Sequence, residues 1–220
     1  MNFDPFYLTF KLALITTVIL LIIAVPIAYW MAYTKSRSKF LIEAVITLPM
    51  VLPPSVLGFY LLVSFGRNSP LGQFLFDNFD IYLPFSFTGL VIGSVIYSLP
   101  FMVNPIHAGL QNLGNSLMEA SSTLGKSNWT TLVKVLLPNI KPSIFTGIVL
   151  SFAHTVGEFG VVLMIGGNLD STRVASIAIY DNVNKMDYAS AHQYAFILLA
   201  ISFVLLALVY LFNRRGVRYL

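Results

Sequence analysis

The sequence contains no cysteine and few charged residues, and both shortages limit what the protein can be. Without cysteine there are no disulfides, no thiolate metal ligands and no thiol catalysis, although this absence does not identify the redox compartment. Charged residues make up only 10% of the chain, hydrophobic residues make up 57%, and the mean hydropathy is +0.80. Soluble domains carry about 25% charged residues. The chain is therefore predicted to lie in a lipid bilayer.

Long apolar runs occupy most of the 220 residues. A helix that crosses a bilayer needs roughly 20 mostly apolar residues, and five segments qualify, at about 9–33, 44–66, 86–110, 143–165 and 190–212. The first lacks the basic start and the cleavage site of a signal peptide, so we expect it to be retained. No internal repeat is visible, and little length remains for a soluble domain. We predict an all-α integral membrane protein in which residues 1–220 form one transmembrane domain.

Basic residues alternate from side to side along these spans. The formal net charge is +4, and nine of the 13 Lys and Arg residues fall in three stretches that five spans would place on one side. By the positive-inside rule these stretches are cytoplasmic, which puts the N-terminus outside and the C-terminus inside. Nucleic-acid binding would require a basic patch in a soluble domain, so no nucleic-acid partner is expected. The nine residues are Lys35, Arg37, Lys39, Lys126, Lys134, Lys141, Arg214, Arg215 and Arg218.

Prolines and polar residues interrupt the second and third spans. The second span reads LPMVLPPSVLGF, with three prolines, of which Pro53 and Pro54 are adjacent, followed by Gly58. Each proline removes a backbone donor, and membranes tolerate such breaks only where neighbouring helices or a cavity satisfy the freed groups. One proline would indicate a packing kink, whereas this cluster favours a break that lines a cavity. Asn104 in the third span similarly predicts a water-facing surface.

One carboxylate lies well inside a predicted span. The fourth span contains HTVGEFG, and Glu158 is its charged residue. A charge at the centre of a membrane helix costs at least about 2.5 kcal/mol, so a lipid-facing position is disfavoured. His154 lies four residues earlier, where a helix would let the two side chains share a proton or a hydrogen bond. Gly157 and Gly160 would permit close backbone approach. A packing role for a neutral or paired Glu158 and a role at a gate both remain open.

A run in the loop between spans three and four matches a permissive phosphate-loop pattern. Residues 120–127 read ASSTLGKS, a small residue, four others, then Gly-Lys-Ser. A working phosphate loop joins a buried strand to a helix inside an α/β domain. No strand-like run precedes residue 120, and the loop has only about 30 residues. We predict that the match is accidental and that the chain itself binds no nucleotide and no other cofactor.

The same loop predicts a pair of short helices. Ser116 and Glu119 have the spacing of a capping box, and Gly125 supplies a stop signal. Ser127 or its neighbour begins a second helix, which Pro138 ends. Apolar residues recur at helical spacing on both, so a helical hairpin with apolar faces is expected in the cytoplasm.

The spacing within this hairpin resembles the signature loop of ABC importer permeases, E-A-A-x3-G-x9-I-x-L-P. Here the pattern reads Glu119-Ala120-Ser121, three residues, Gly125, nine residues, then VLLP ending in Leu137-Pro138. In that family the loop forms coupling helices that dock on a separate ATPase subunit. The resemblance therefore implies a type I ABC importer permease fold, with ATP and magnesium used by the partner.

Two further stretches, LPMVLPPSVLGFYLL and GEFG followed by GGN, resemble molybdate-type oxyanion permeases. This resemblance implies a bacterial or archaeal inner-membrane protein that forms the pathway with a second copy of itself. Its further implied partners are two ATPase subunits and an extracytoplasmic oxyanion-binding protein. Tungstate and sulfate or thiosulfate remain alternative cargoes. The pathway and gate candidates are Pro53, Pro54, Gly58, Asn104, His154, Gly157, Glu158 and Gly160.

Two other classes of protein remain as alternatives. An ion-coupled secondary transporter usually shows internal repeats and several buried charges, whereas this chain offers one carboxylate. An intramembrane enzyme needs a convergent nucleophile and base or a metal triad. His107 and His192 each stand without a second ligand at metal-like spacing, so no metal site and no catalytic residue are predicted.

Overall fold

The structure, a computed structural model, describes residues 2–216, with side chains described through 207 and at 211. Arg218, one of the predicted cytoplasmic basic residues, lies outside the described residues. Every regular element in the described part is helical. The helices are α1 (Asp4–Tyr33), α2 (Lys39–Val51), α3 (Pro54–Phe65), α4 (Pro70–Phe79), α5 (Phe87–Leu113), α6 (Ser116–Thr123), α7 (Asn128–Thr131), a π-helical turn (Leu132–Leu136), α8 (Leu137–Asn139), α9 (Lys141–Val156), α10 (Gly160–Gly166), α11 (Ala175–Asn184) and α12 (Tyr188–Gly216).

Three stretches among the described residues are long and apolar enough to cross a membrane unbroken. They are α1, α5 and residues Tyr188–Ala207 of α12. Two further helix pairs pass the same test but are bent, α2 with α3 by 111° and Asn128–Asn139 with α9 by 79°. The described chain therefore offers three spans by length and composition, or up to five when each bent pair crosses as one. The second pair differs from the predicted fourth span, 143–165, because it includes residues 128–139, which the sequence assigns to the loop between spans three and four.

Helix α5 is the centre of the bundle. Within the most apolar 18-residue stretch of each helix, 56% of the residues of α5 are buried, compared with 11% of those of α12. It packs on α1 and α9 around a core that contains Leu20, Met102 and Ile106. A Cβ added to Gly109 would lie 2.5 Å from Ser143 Oγ, so α5 and α9 approach closely through a small residue. Small residues at helix contacts are typical of membrane bundles.

The fourth predicted span, 143–165, is not one continuous helix. Helix α9 ends at Val156, the backbone runs irregularly through residues 157–159, and α10 begins at Gly160. The Glu158 carboxyl turns toward α5, and Gly160 packs against the start of α3. Both contacts are made at the irregular turn between α9 and α10. In one straight helix these residues could not reach both α5 and α3.

The helical hairpin between α5 and α9 begins differently from the predicted capping box. Ser116 is the first residue of α6 rather than its cap, and Asn115 precedes it without a side-chain capping bond. The cause is Gly114, whose φ of +65° turns the chain one step earlier, so that Asn115 already has helical dihedrals and its carbonyl oxygen accepts from the Glu119 N–H at 2.9 Å. The capping box is therefore wrong, although the helix it predicted is present.

The two other end signals of the hairpin are confirmed. Gly125 has φ +68°, and the N–H groups of Gly125 and Lys126 donate to the carbonyl oxygens of Ser122 and Ser121 at 2.9 and 3.1 Å. This pair of bonds is a Schellman motif, which needs a left-handed residue where glycine stands. Ser127 caps the next helix, since its Oγ accepts from the Thr130 N–H at 3.2 Å.

Candidate functional site

The two irregular breaks, one between α2 and α3 and one between α9 and α10, pack against each other. A Cβ on Gly160 would lie 2.5 Å from Pro54 Cβ and 3.3 Å from the Pro54 carbonyl carbon. A Cβ on Gly58 would lie 2.7 Å from Met164 Cβ. Glycine at both positions therefore lets α3 and α10 lie in direct backbone contact. Close approach was predicted for Gly160 and Gly157, and the structure shows it at Gly160 but not at Gly157, where the nearest atom to an added Cβ lies at 3.6 Å.

This contact predicts the effect of adding one methyl group. Gly160→Ala places its Cβ against the rigid Pro54 ring and backbone, so we expect a loss of roughly 1–3 kcal/mol of stability from overpacking. Gly157→Ala is the matched control, because its nearest atoms would lie at an ordinary 3.6 Å and its φ is −86°. Thermal unfolding of the purified protein in detergent measures both. Equal melting temperatures for the two variants would contradict the packing of the breaks.

A cavity of about 580 Å³ opens where these breaks meet. Helix α5 supplies one wall and the ends of α3, α9 and α10 supply the others. Its size falls in the range of small-molecule sites, about 300–1,000 Å³. The prediction that the proline cluster lines a cavity is thus matched by the geometry at Pro54. The lining residues are Pro54, Ser55, Tyr97, Ala153, His154, Gly157, Glu158, Phe159 and Gly160.

Glu158 is fixed by contacts from two other helices. Ser94 Oγ on α5 donates to Glu158 Oε2 at 2.8 Å, and Ser176 Oγ on α11 donates to the Glu158 carbonyl oxygen at 2.6 Å. The residue is only 4% exposed, and Oε1 is buried without a hydrogen-bond partner in the structure. The carboxyl is therefore a connector between α5 and the break rather than a group presented to lipid.

His154 pairs with α5 and not with Glu158. The two were expected to share a hydrogen bond at helical spacing, but α9 ends at Val156, so Glu158 no longer lies one turn above His154. Instead His154 Nδ1 lies 2.9 Å from Ser98 Oγ. Its ring stacks on Phe101 at a centroid distance of 4.0 Å and lies 4.7 Å from the ring of Tyr97.

A short hydrogen-bond chain fixes the orientation of the His154 ring. Thr155 Oγ1 donates to the Ser151 carbonyl oxygen at 2.9 Å, which leaves Thr155 Oγ1 as an acceptor for Ser98 at 3.0 Å. The Ser98 hydroxyl has one proton, which it donates to Thr155. Ser98 can therefore only accept a hydrogen bond from His154, so Nδ1 must carry a proton. The other ring nitrogen, Nε2, takes no part in this chain of bonds, and His154 lines the cavity.

The remaining pathway candidates are not all brought to this cavity. Pro53 occupies the N-cap position of α3, next to the cavity. Asn104 donates to Met50 Sδ on α2 at 3.9 Å and does not line the cavity. Sequence reasoning missed Ser94, Ser98 and Ser176. The first two lie four residues apart on α5, a spacing that places both on one helix face, and that spacing was the available signal.

Helix α11, which carries Ser176, is stabilised by an ion-pair cluster. Asp181 accepts from Lys185 Nζ at 2.8 Å and from Arg173. The hydrogen bond from Lys185 and the charges of both cations lower the pKa of Asp181 below its ordinary value. Through α11 this cluster holds the Ser176 hydroxyl against the Glu158 backbone.

The predicted coupling residues lie in one helical hairpin with a buried side and an exposed side. On the buried side Ser121 Oγ lies 2.6 Å from Thr131 Oγ1, and Leu132 and Leu136 enter the main core. Glu119, Ala120, Gly125 and Pro138 are exposed, and Leu137 is half-buried. The helical stretch ends at Asn139, one residue after Pro138.

The exposed side of the hairpin carries large apolar side chains. Leu124 is 74% exposed, Trp129 71% and Val133 42%. The predicted apolar stripe of the second helix thus divides, since Leu132 and Leu136 are buried while Trp129 and Val133 face outward. Exposed apolar groups beside polar neighbours are typical of a protein-binding surface.

Known proteins resemble this chain over most of its length. Residues 24–218 match the family described as binding-protein-dependent transport system inner membrane component. The chain is 48% identical over 204 residues to the molybdenum transport system permease protein ModB of Azotobacter vinelandii, covering 92% of this chain and 90% of that one. It is 35% identical over 181 residues to the sulfate transport system permease protein CysT of Escherichia coli K12, covering 80% of this chain and 65% of that one.

Solved structures share the fold at low sequence identity. The crystal structure of a bacterial alginate ABC transporter, in complex with a pentasaccharide-bound periplasmic protein, superposes with a TM-score of 0.77 at 16% identity, over 96% of this chain and 78% of that one. The crystal structure of an amino acid ABC transporter with histidines gives 0.64 at 20% identity, over 94% and 90%. The predicted all-α fold of a type I ABC importer permease is confirmed, and this chain belongs to the inner-membrane components of binding-protein-dependent transport systems.

Proposed function

We propose that this chain is the permease subunit of an ATP-driven importer for a tetrahedral oxyanion, and that the oxyanion is molybdate. The observation that carries the proposal is the 48% identity to a molybdenum permease, maintained over nine tenths of both chains. The match to a sulfate permease is lower, 35%, and covers 65% of that protein. Sulfate is therefore the second candidate cargo, and tungstate, a tetrahedral dianion like molybdate, is the third.

The pathway is proposed to lie between two copies of the chain. The cavity at the helix breaks is open on one side, and α2 and α3 beside it expose large apolar residues, among them Val45, Val51 and Tyr60. A second copy related by a twofold axis would cover these faces and join two such cavities. Symmetric pairing of this kind is the commonest arrangement of homo-oligomers.

The cytoplasmic hairpin is proposed to receive the force that drives transport. Its inner side is built into the core through Leu132 and Leu136, so movement of the hairpin is passed to α9 and the adjoining break. Its outer side offers Leu124 and Trp129 to a partner. That partner is an ATPase subunit, one for each copy of the chain. ATP and magnesium bind to the ATPase, and this chain takes no cofactor.

The opposite side of the membrane is proposed to receive an extracytoplasmic oxyanion-binding protein. In this orientation the N-terminus and the α10–α11 segment lie outside, and the C-terminus and the hairpin lie inside, as the distribution of Lys and Arg indicates. The binding protein sets the affinity for the anion, and the permease supplies a path that holds the anion weakly enough to release it.

The chemistry of the cavity supports weak rather than tight contact with an anion. Its polar groups include the hydroxyls of Ser55 and Tyr97 and the imidazole of His154, whose Nδ1 is engaged by Ser98. Glu158 has its hydrogen-bonded oxygen turned to Ser94. We assign Glu158 to packing of the break beside the gate and not to binding of the anion.

The cargo is tested by reconstitution. The chain, its ATPase and its binding protein are assembled in liposomes, and ATP hydrolysis is measured with molybdate, tungstate or sulfate at equal concentrations. We expect the greatest stimulation with molybdate and little with sulfate. Stimulation by sulfate alone would reverse the assignment of cargo, and ATP hydrolysis that no oxyanion stimulates would contradict an oxyanion importer.

A further inference from the structure

Helix α4 carries an exposed apolar surface that the rest of the chain does not cover. It joins the outer end of α3 to α5, and its chief packing partner is α3. Leu71 is 46% exposed, Phe74 56% and Phe79 60%. Leu71 and Phe79 lie eight residues apart with Leu75 between them, so they follow one side of the helix.

The other side of α4 is polar. Gln73 and Asp77, one turn apart, are both exposed. Asn78 lies within the apolar side, but its amide donates to the Phe74 carbonyl oxygen of its own helix at 2.8 Å, so that donor is satisfied without water. The helix is therefore amphipathic, with an apolar side of Leu71, Phe74 and Phe79.

A ten-residue helix of this kind needs a surface to lie on. Isolated helices shorter than about 12–15 residues are marginal in water. Both ends of α4 are nevertheless well formed, with Ser69 Oγ accepting from the Gly72 N–H at 2.9 Å and Asp80 closing the last turn at φ 53°. The end contacts define where the helix starts and stops, but they leave its apolar side uncovered.

The position of α4 identifies that surface. It connects two membrane helices at the same boundary, and the segment that follows adds exposed Ile81, Tyr82 and Phe85. Aromatic residues concentrate where membrane meets water, and amphipathic helices lie in that layer with the apolar side toward the acyl chains. The polar side carries Asp77 and Gln73 rather than Lys or Arg, and Arg67, which precedes the helix, lies over the Phe76 ring, so attachment depends chiefly on apolar area.

The joint between α3 and α4 is rigid. Ser69 Oγ donates to the Ser64 carbonyl oxygen at 2.5 Å and lies 2.9 Å from that of Gly66. A Cβ on Gly72 would collide with the Gly66 carbonyl, so the two helix ends are in backbone contact. Whatever holds α4 at a given depth therefore also holds α3, whose other end forms the cavity wall.

We propose that α4 lies in the outer lipid–water interface, with Leu71, Phe74 and Phe79 against the acyl chains, and that it anchors α3 at a fixed depth. The partner is the bilayer itself. Helix α3, one half of the broken second span, would then stay at a fixed depth while the cytoplasmic hairpin moves. The choice of leaflet and the movement of the hairpin rest on the proposed function, and the cargo plays no part.

The chain has no cysteine, so single cysteines can be introduced for spin labelling without any background. Leu71→Cys tests the apolar side, and Gln73→Cys, two residues away on the opposite side, is the matched control. Both are exposed in the monomer. The complete transporter is placed in phosphatidylcholine nanodiscs, and collision of each nitroxide with oxygen and with a water-soluble nickel chelate is measured.

At residue 71 we expect high oxygen collision and low nickel collision, which corresponds to a depth of about 5–10 Å below the headgroups. At residue 73 we expect several-fold higher nickel collision. Equal nickel collision at the two sites would overturn the proposal, because α4 would then lie in water. Protection of residue 71 from both reagents would also overturn it, because a second copy or the binding protein would then cover the face. Phe79→Cys repeats the test should Leu71→Cys fail to assemble.

Discussion

Gly125→Asp is expected to lower ATP-coupled uptake at least about tenfold while membrane insertion stays normal, because an unpaired charge buried in a packed interface costs roughly 2–5 kcal/mol and 1.4 kcal/mol corresponds to a factor of ten. A Cβ at residue 125 would meet no atom within 4 Å, so the new side chain points away from the protein's own fold and toward the proposed ATPase. Uptake into liposomes and co-purification of the ATPase measure the two parts of the effect.

A matched control separates docking from backbone strain. Gly125→Ala is the control, because it places a Cβ at the same φ of +68° without a charge, and that Cβ also meets nothing within 4 Å. Gly125→Ala therefore adds the backbone strain of a side chain at a positive φ and leaves out the charge. We expect it to retain most uptake and to keep the ATPase bound. Equal losses from the two variants would show that strain in the hairpin, rather than docking at Gly125, is responsible.

Glu158→Gln is expected to leave uptake within about twofold of the original protein, whereas Glu158→Ala is expected to be destabilised by roughly 1–3 kcal/mol. The amide oxygen of glutamine can accept the Ser94 hydroxyl bond as the carboxyl does. Alanine leaves the fully buried Ser94 hydroxyl without its acceptor and opens a void beside it. Uptake assays and thermal unfolding of the purified variants distinguish the two outcomes.

The alternative role for Glu158 predicts the opposite ranking. If the gate required a negative charge, Glu158→Gln would stop transport while the protein assembled and unfolded normally. Ser94→Ala provides a second measurement, since it removes the donor and keeps the carboxyl. A packing role predicts that Ser94→Ala lowers the melting temperature, and a purely electrostatic role predicts no such change.

Much of the fold follows from the sequence because the membrane imposes strong constraints. Long apolar runs must be helical where lipid offers no hydrogen-bond partners, and the break at Pro53 and Pro54 follows from missing backbone donors. The end of α6 at Gly125 was predictable because the Schellman turn requires a left-handed residue. Each of these inferences depends on local chemistry that the sequence displays.

The break between α9 and α10 was harder to foresee. Apolar residues flank GEFG on both sides, and membrane helices tolerate glycine, so the hydropathy is that of one continuous span. What ends α9 is tertiary, namely the contact of Gly160 with Pro54 and of Glu158 with Ser94. The pairing of His154 with Glu158 was inferred from helical spacing and fails for the same reason. Ser98, which replaces Glu158 as the partner, becomes meaningful only once α5 is placed beside α9.

Whether the hairpin is a lever driven by another protein is decided by transport in sealed vesicles. One set contains this chain alone, and the other contains the chain with its ATPase and binding protein, with ATP on the side of the hairpin. We predict that labelled molybdate accumulates against its gradient only in the second set and only while ATP is present. Accumulation against the gradient in vesicles that contain this chain alone would contradict the proposed mechanism.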